Sequence, residues 1–261
     1  MMRYLCFHEK MVVLLIGFMV AGGVMAKSYA QQLKKTADGK ILIDNFQEDT
    51  PGHLPAGWYD RDGNKQVINL SAQECAKYHY SIEGENGNKF LHYEGMNAMH
   101  LNFPLINKQG KNIYNIDVHI TPVLSWKWRV FQLPNGGDVN NSSRDDAAAS
   151  IYVVWGMGRV LSQKVPKSVR YVWGATEPAG ATFSKFFGNQ KIVVLKSGPT
   201  DEGQWVTMDR NIAEDYKHLF GRKPPHAPLA ILILSDGNNT HSLVKADYDD
   251  IMLEPAPPAG H

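Results

Sequence analysis

The chain has 261 residues, with 27 Lys and Arg against 26 Asp and Glu and a formal net charge of +1. A balance this even leaves no basic footprint for phosphates, which excludes nucleic acid as the main partner. Two cysteines cannot build a disulfide scaffold, so stability must come from a core, and 43% hydrophobic residues in a chain of this length supply one.

Residues 1–26 carry Arg3, His8 and Lys10, then an apolar run over residues 11–20, then Gly22, Gly23 and Ala26. That is the layout of a secretory signal peptide, with cleavage after Ala26 or alternatively after Ala30. Its apolar stretch is shorter than the ~20 residues that span a bilayer, and Cys6 precedes it, so neither a membrane span nor a lipid anchor is expected. Removal takes away Arg3, Lys10 and Glu9 and leaves basic and acidic residues in equal number. The expected location is the periplasm or the exterior, with no transmembrane segment after cleavage. Residues 27–40 read as a mobile polar leader, 41–254 as one domain and 255–261 as a Pro-rich tail.

Within the body, short β-rich runs recur between turn residues: ILIDNF, KFLHYEG, HLNFPL, VLSWKWRVF, ASIYVVWG, VRYVWG, KIVVLKSG, WVTMDRN, APLAILILSD and KADYDDIML. Strands of this length and spacing predict a mainly all-β fold, a single jelly-roll-like antiparallel β-sandwich. One short helix is expected over residues 212–220. Asn211 can cap it with Glu214 three residues on, Ile212, Tyr216, Leu219 and Phe220 share a face, and Gly221 with Pro224 and Pro225 ends it. The helix is expected to cover one edge of the sandwich. Cys75 reads as a small apolar side chain in an alternating segment.

The stretch WKWRVFQLPNGGDVNNSSRDDAAASIYVVW is the most informative. Alternation puts Trp126, Trp128 and Val130 on one face and Lys127, Arg129 and Phe131 on the other, one for the core and one for work. Charge beside aromatics suits a polar ring-shaped ligand such as a sugar, because rings pack on apolar sugar faces while Arg and Asp take hydroxyls or acid groups. The expected ligand contacts are Lys127, Arg129, Tyr152 and Trp173, with Asp145, Asp146, Asp236 and Asn239 from loops. Asp145 and Asp146 could instead pair with Arg129 or Arg144 and hold the loop, and Asp236-Gly237 could be an ordinary surface turn. Tyr171 with one or two of Trp126, Trp128, Trp155 and Trp173 could also line the ligand face.

In ADYDDIML a regular strand would face Asp247 and Asp249 one way and Tyr248, Asp250 and Met252 the other. Asp44 could meet Asp249 across paired terminal strands and share a structural calcium, or these aspartates could bind backbone amides. No other cofactor is indicated. His79, His92, His100 and His119 stand singly without HExxH or comparable spacing, and no G-x-S-x-G occurs, so neither a zinc motif nor a nucleophile elbow is present.

The series SWKWRVFQLPNGGD, RDDAAASIYVVW, YVWG followed by Pro178 and Gly180, VVLKSG, GQWVTMDRNIAEDYKHLFGRKPP and SDGNNT leading to ADYDDIML resembles the bacterial domain of unknown function 3047 family, from about Phe46 to Leu253. The resemblance implies an exported, β-rich single domain and carries no established reaction or catalytic residue. ILIDNF and ADYDDIML also look like the first and last strands of galactose-binding-type jelly rolls, whose terminal strands pair and often hold calcium. Three functions are open at this point. The chain could bind a polysaccharide or related glycan at the cell envelope. It could be a glycan lyase or hydrolase in which Arg129 neutralises a sugar acid and Tyr171 or Asp146 handles a proton. It could be a structural envelope protein that binds a protein partner.

Overall fold

The computed structural model describes residues 33–107, 109–161 and 163–257. The expected signal peptide, both of its cleavage points and the last residues of the tail lie outside them. Among the described residues no helix is long and apolar enough to cross a membrane.

Two sheets face each other across one core. In chain order the elements are β1 (Lys34–Lys35), β2 (Ile41–Asp44), α1 (Ala72–Cys75), β3 (Tyr80–Glu85), β4 (Asn88–Gly95), β5 (Leu101–Pro104), β6 (Val123–Gln132), β7 (Ala149–Val160), β8 (Gln163–Gly174), β9 (Thr182–Lys185), β10 (Gln190–Ser197), β11 (Val206–Asn211), α2 (Ile212–Phe220), β12 (Ala230–Leu234) and β13 (Val244–Glu254). Sheet A has seven strands, with β13 at its centre pairing β2 and β4 on one side and β6 on the other, and β11 outside β6. Sheet B runs β5-β12-β7-β8-β10-β9. Every pair is antiparallel except β8 with β10. That exception follows from the chain path, which crosses after β8 to the edge hairpin β9–β10 and returns in the direction of β8.

The alternation seen in the sequence builds the core. Trp126, Trp128 and Val130 of β6 meet Ile151, Val153, Trp155, Tyr171 and Trp173 of sheet B, all buried. Trp126 lies 5.7 Å from Tyr171 and Trp128 lies 6.0 Å from Trp173, centroid to centroid. The four tryptophans and Tyr171 are therefore core residues, and Trp173 further donates its Nε1–H to the Gly198 carbonyl at 3.0 Å. None of them lines an outer face, because an indole that fills the space between two sheets has no surface left to offer.

Several expectations need correction. Lys34–Lys35 is not loose leader but pairs with Ile41–Leu42 through a turn over residues 36–40. Cys75 lies in the single helical turn α1, half-buried, with Sγ 3.8 Å from the Leu70 carbonyl. The terminal strands do pair, yet β13 is not regular: its register slips between Asp249 and Met252, and Asp250 takes φ +48°. The bulge shifts parity by one, so Ala246 and Tyr248 before it and Ile251 and Leu253 after it all point into the core. Helix α2 forms where expected, with the Asn211 side chain accepting from the Glu214 amide at 3.0 Å and Gly221 left-handed at its end. Ile212 and Tyr216 are buried, and Tyr216 packs 4.9 Å from Trp155.

The correction with most consequence for function is topological. Strands β6 and β7 belong to opposite sheets, so the loop over residues 133–148 carries the chain across the sandwich. Lys127 and Arg129 face outward from sheet A, whereas Tyr152 faces outward from sheet B. The single working face expected from the sequence is in fact two.

Candidate functional site

On the outer face of sheet A, Arg129 is 9% exposed and fully engaged. Its Nε and Nη2 donate to Asp247 Oδ2 at 2.9 and 2.7 Å, and Nη1 donates to Glu85 Oε2 at 2.9 Å. Trp205, Phe131 and Phe90 surround the guanidinium, with ring centroids 4.6, 4.7 and 5.2 Å from Cζ. Asp247 holds His92 Nδ1 through its other oxygen at 2.6 Å. Lys127 pairs with Asp250 at 2.8 Å. The expected partners of Arg129, Asp145 and Asp146, belong to the other side of the molecule, and register explains why: Arg129 stands opposite Asp247 on the neighbouring strand β13.

On the outer face of sheet B one cross-strand row runs Asn102, Leu232, Tyr152, Arg170, Ile192, Phe183, in register through all six strands. Beyond Arg170 the face is covered by an apolar cluster of Val139, Ala147, Val172, Ile192 and Val194. On the other side Leu232 and Asn102 stay half-exposed. A guanidinium thus sits in the middle of a sheet, 2% exposed, beside Tyr152 at 5%.

Three groups converge on that guanidinium. Nε donates to Ser150 Oγ at 3.1 Å, Nη1 donates to Asp145 Oδ1 at 2.9 Å, and Cζ lies 5.2 Å from the Tyr152 ring centroid. Asp145 is bound on its other oxygen by Lys185. Among the described residues Nη2 has no hydrogen-bond acceptor; Asp236 Oδ1 stands 3.7 Å away, beyond hydrogen-bond length. Ser168 Oγ, on the same face, likewise has no partner among the described residues. A buried polar atom without a partner costs about 1–3 kcal/mol, so this corner is electrostatically unfinished.

The titrating groups carry the same mark. Burial pushes the Asp236 carboxyl up to about 7, against the pull of Arg170 and of the Ala147 amide that donates to it at 3.0 Å. His100 packs edge-on against Tyr152, centroids 5.5 Å apart, and burial together with Arg170 and Arg61 lowers it to about 4. Burial raises the Tyr152 phenol above its ordinary range. At neutral pH the cluster holds a permanent cation, a neutral imidazole, a neutral phenol and a carboxyl poised between its two forms.

Of the residues singled out in the sequence, Asp145, Tyr152 and Asp236 come together around Arg170. Asp236 is 5% exposed and not part of a surface turn. The turn lies just beyond it, where Gly237 packs so closely that a Cβ would meet the Ser242 carbonyl at 2.1 Å. Asp146 points away from Asp145, as adjacent residues in extended chain do, and is fully buried. It accepts from the Asn239 amide at 3.1 Å and from the Thr240 amide and hydroxyl at 2.6 and 2.7 Å. Asn239 in turn donates to Ser142 O at 3.2 Å, so both residues tie two loops together rather than face a ligand. Arg144 pairs with Asp138, not with the neighbouring aspartates.

Asp44 and Asp249 occupy separate hydrogen-bond sets. Asp44 accepts from the Phe46 amide at 2.9 Å and Trp58 Nε1 at 2.8 Å, and Asp249 from Asn88 Nδ2 at 2.8 Å and the Asp250 amide at 2.7 Å. Burial raises the two carboxyls to about 7 and about 6. Arg170, His100 and Lys185 were absent from the expected site. Arg170 had a readable signal, a lone cation in the apolar alternation VRYVWG, where an outward charge needs partners.

The family described as "Protein of unknown function (DUF3047)" matches residues 67–252, and the chain belongs to it. No curated protein matches the chain. Among solved structures it is similar to the family 11 carbohydrate-binding module of cellulosomal cellulase Lic26A-Cel5E of Clostridium thermocellum, at 11% identity and a TM-score of 0.38, over 87% of this chain and 100% of that one. An exo-beta-agarase is similar at 12% identity and a TM-score of 0.33, over 83% of this chain and 25% of that one. The K3 cleaved adhesin domain of Lys-gingipain from Porphyromonas gingivalis W83 is similar at 11% identity and a TM-score of 0.31, over 81% and 97%.

Proposed function

We propose that this member of the DUF3047 family is an exported envelope protein that binds an acidic polysaccharide or related glycan on the outer face of sheet B. The observation that supports this reading is Arg170, a buried guanidinium whose Nη2 has no hydrogen-bond acceptor among the described residues. A sugar carboxylate is the acceptor such a fork suits, and the charge-assisted bond is stronger there than in water. Tyr152, 5% exposed, and His100 pack beside it, and Asn102 and Leu232 continue the row toward solvent. The Asp145–Lys185 pair, partly exposed, forms the outer wall and gives way to the incoming acid group. Export rests on the N-terminal layout of charge, apolar run and small residues.

Asp236 favours a second reading. A carboxyl near 7 beside an arginine is poised to donate or accept a proton at neutral pH, which a glycan lyase or hydrolase requires. Native affinity electrophoresis through gels of neutral, anionic and amino-sugar polysaccharides, followed by staining for polymer, separates the readings. Retardation by the anionic polymer with the gel intact, lost in Arg170→Leu, supports the binding module; clearing supports the enzyme. Unretarded migration through every gel would overturn both and leave a protein partner as the object of search.

A further inference from the structure

We propose that Asp117, His119 and His226 form a binding site for a divalent transition-metal ion, with zinc as its natural probe. It shares no residue with the Arg170 cluster. The three side chains each offer a ligand atom, and these atoms lie within 4.8 Å of one another. Nothing in the residue order points to it, because His119 and His226 are far apart in the chain and each looks isolated.

The backbone explains why they meet. Ile116 and Val118 are buried, and a turn over residues 118–120 follows Asp117, so Asp117 and His119 lie at the surface of one short turn with their ligand atoms close together. That segment is clamped locally: the Asp117 carbonyl accepts from the Ile120 and Thr121 amides at 2.9 Å each, and Asp117 Oδ1 accepts from the His119 amide at 2.9 Å. The Val118 amide donates to the His226 carbonyl at 2.8 Å, which fixes the second segment against the first. His226 follows Pro224 and Pro225, whose fixed φ limits the freedom of the approach. The three donors are thus held on two segments that are tied by backbone, not by the side chains themselves.

The spacing fits a small tetrahedral ion. His226 Nδ1 lies 3.0 Å from Asp117 Oδ2, close to the ~3.3 Å edge of a tetrahedron with ligands at ~2.0–2.1 Å from zinc. The His119 ring stands edge-on to the His226 ring, centroids 4.8 Å apart, and is exposed, so a rotation of its side chain closes the remaining gap. Two imidazoles with one carboxylate suit Zn²⁺, Cu²⁺ or Ni²⁺, and disfavour Ca²⁺ and Mg²⁺, which take oxygen. A metal takes the unprotonated Nδ1 of His226, a neutral ring then carrying its one N–H on Nε2, so protons compete with the metal for the imidazoles and binding weakens as pH falls. The fourth position opens to solvent, because His119 and His226 are both exposed.

The test is calorimetric titration of ZnCl₂ into the purified metal-free protein at pH 7.5, with Cys75→Ser as the common background to remove the one thiol in the described region. The expected result is one zinc per chain. Binding weakens at least tenfold in each of His119→Gln, His226→Gln and Asp117→Asn, and by a similar factor on moving from pH 7.5 to 5.5. Because both histidines are exposed, the glutamine variants should keep the metal-free melting temperature, so that loss of binding reports on the site and not on folding. X-ray absorption of the zinc-loaded protein should show two imidazole nitrogens in the coordination sphere. Absence of binding, or unchanged affinity in both histidine variants, overturns the site.

Discussion

Arg129 and Arg170 stand on opposite outer faces of the same sandwich, each in a strand that also sends large aromatics into the core, Arg129 with three aromatic rings beside its guanidinium and Arg170 with the ring of Tyr152. Their electrostatic surroundings differ. Arg129 has an acceptor on each of its three nitrogens, and three rings close over it. Arg170 has two of three satisfied, and the carboxyl nearest the third is poised between its charged and neutral forms. A buried ion with every donor met rigidifies a sheet. One with a donor unmet keeps a standing cost that a ligand can relieve.

The largest effect should therefore come from breaking the completed side. Arg129→Ala leaves Asp247, 1% exposed, with only His92 in place of its guanidinium partner, and should destabilise by about 3–5 kcal/mol in denaturant titration. Arg170→Leu should cost less, about 1–2 kcal/mol, although Arg170 is the more buried of the two. Asp145 keeps Lys185, Asp236 can take up a proton, and leucine fills the space. The same substitution should abolish retention by an anionic polysaccharide. Equal stability losses for the two variants would mean that the Arg170 face is as complete as the other, and would remove the reason to place a ligand there.

The third effect is a slope. Asp236 has a folded value of about 7 against an ordinary 3.8, so the native state binds its proton over a range where the unfolded chain has lost it. The stability it contributes is fully present below about 3.8 and is lost as pH rises through about 7. Asp236→Asn removes that dependence. Relative to the variant, the parent should become progressively less stable between pH 5 and 8, read as the difference between their melting temperatures. A constant difference across that range would show that Asp236 titrates normally, and would weaken the catalytic reading with it.

The fold was largely legible in the sequence, because period-two alternation and turn residues report burial directly. The ten β-rich runs all became strands, and helix α2 starts and stops at the residues whose caps could be named. What was missed locally were short edge strands such as Thr182–Lys185, which have few apolar positions to announce them, and the bulge at Asp250, where an ordinary aspartate takes a left-handed backbone. The site was legible only in pieces. Asp145, Tyr152 and Asp236 were recognised as residues of the right kind, but alternation says which residues share a strand face and nothing about which sheet the strand joins. The loop over residues 133–148 can return a strand to the same sheet or carry it across, and its composition fits either. Placing β6 and β7 together therefore assembled Lys127, Arg129 and Tyr152 into one face, and left Arg170, in the other sheet from Arg129, out of view.

The smallest expected effect is also the one that separates the two faces most directly. Lys127 Nζ pairs with Asp250 at 2.8 Å, but its side chain is 43% exposed, so solvent screens the pair. Lys127→Ala should shift stability by less than about 0.5 kcal/mol. It removes a cation from sheet A without touching Arg170, Asp145 or Lys185, so electrophoretic retention by the anionic polysaccharide should be that of the parent. If retention instead drops in Lys127→Ala and persists in Arg170→Leu, the ligand lies on sheet A. In that case the rings of Trp205 and Phe131 around Arg129 are the sugar platform, and the unmet donor of Arg170 is a cost the fold carries for another reason.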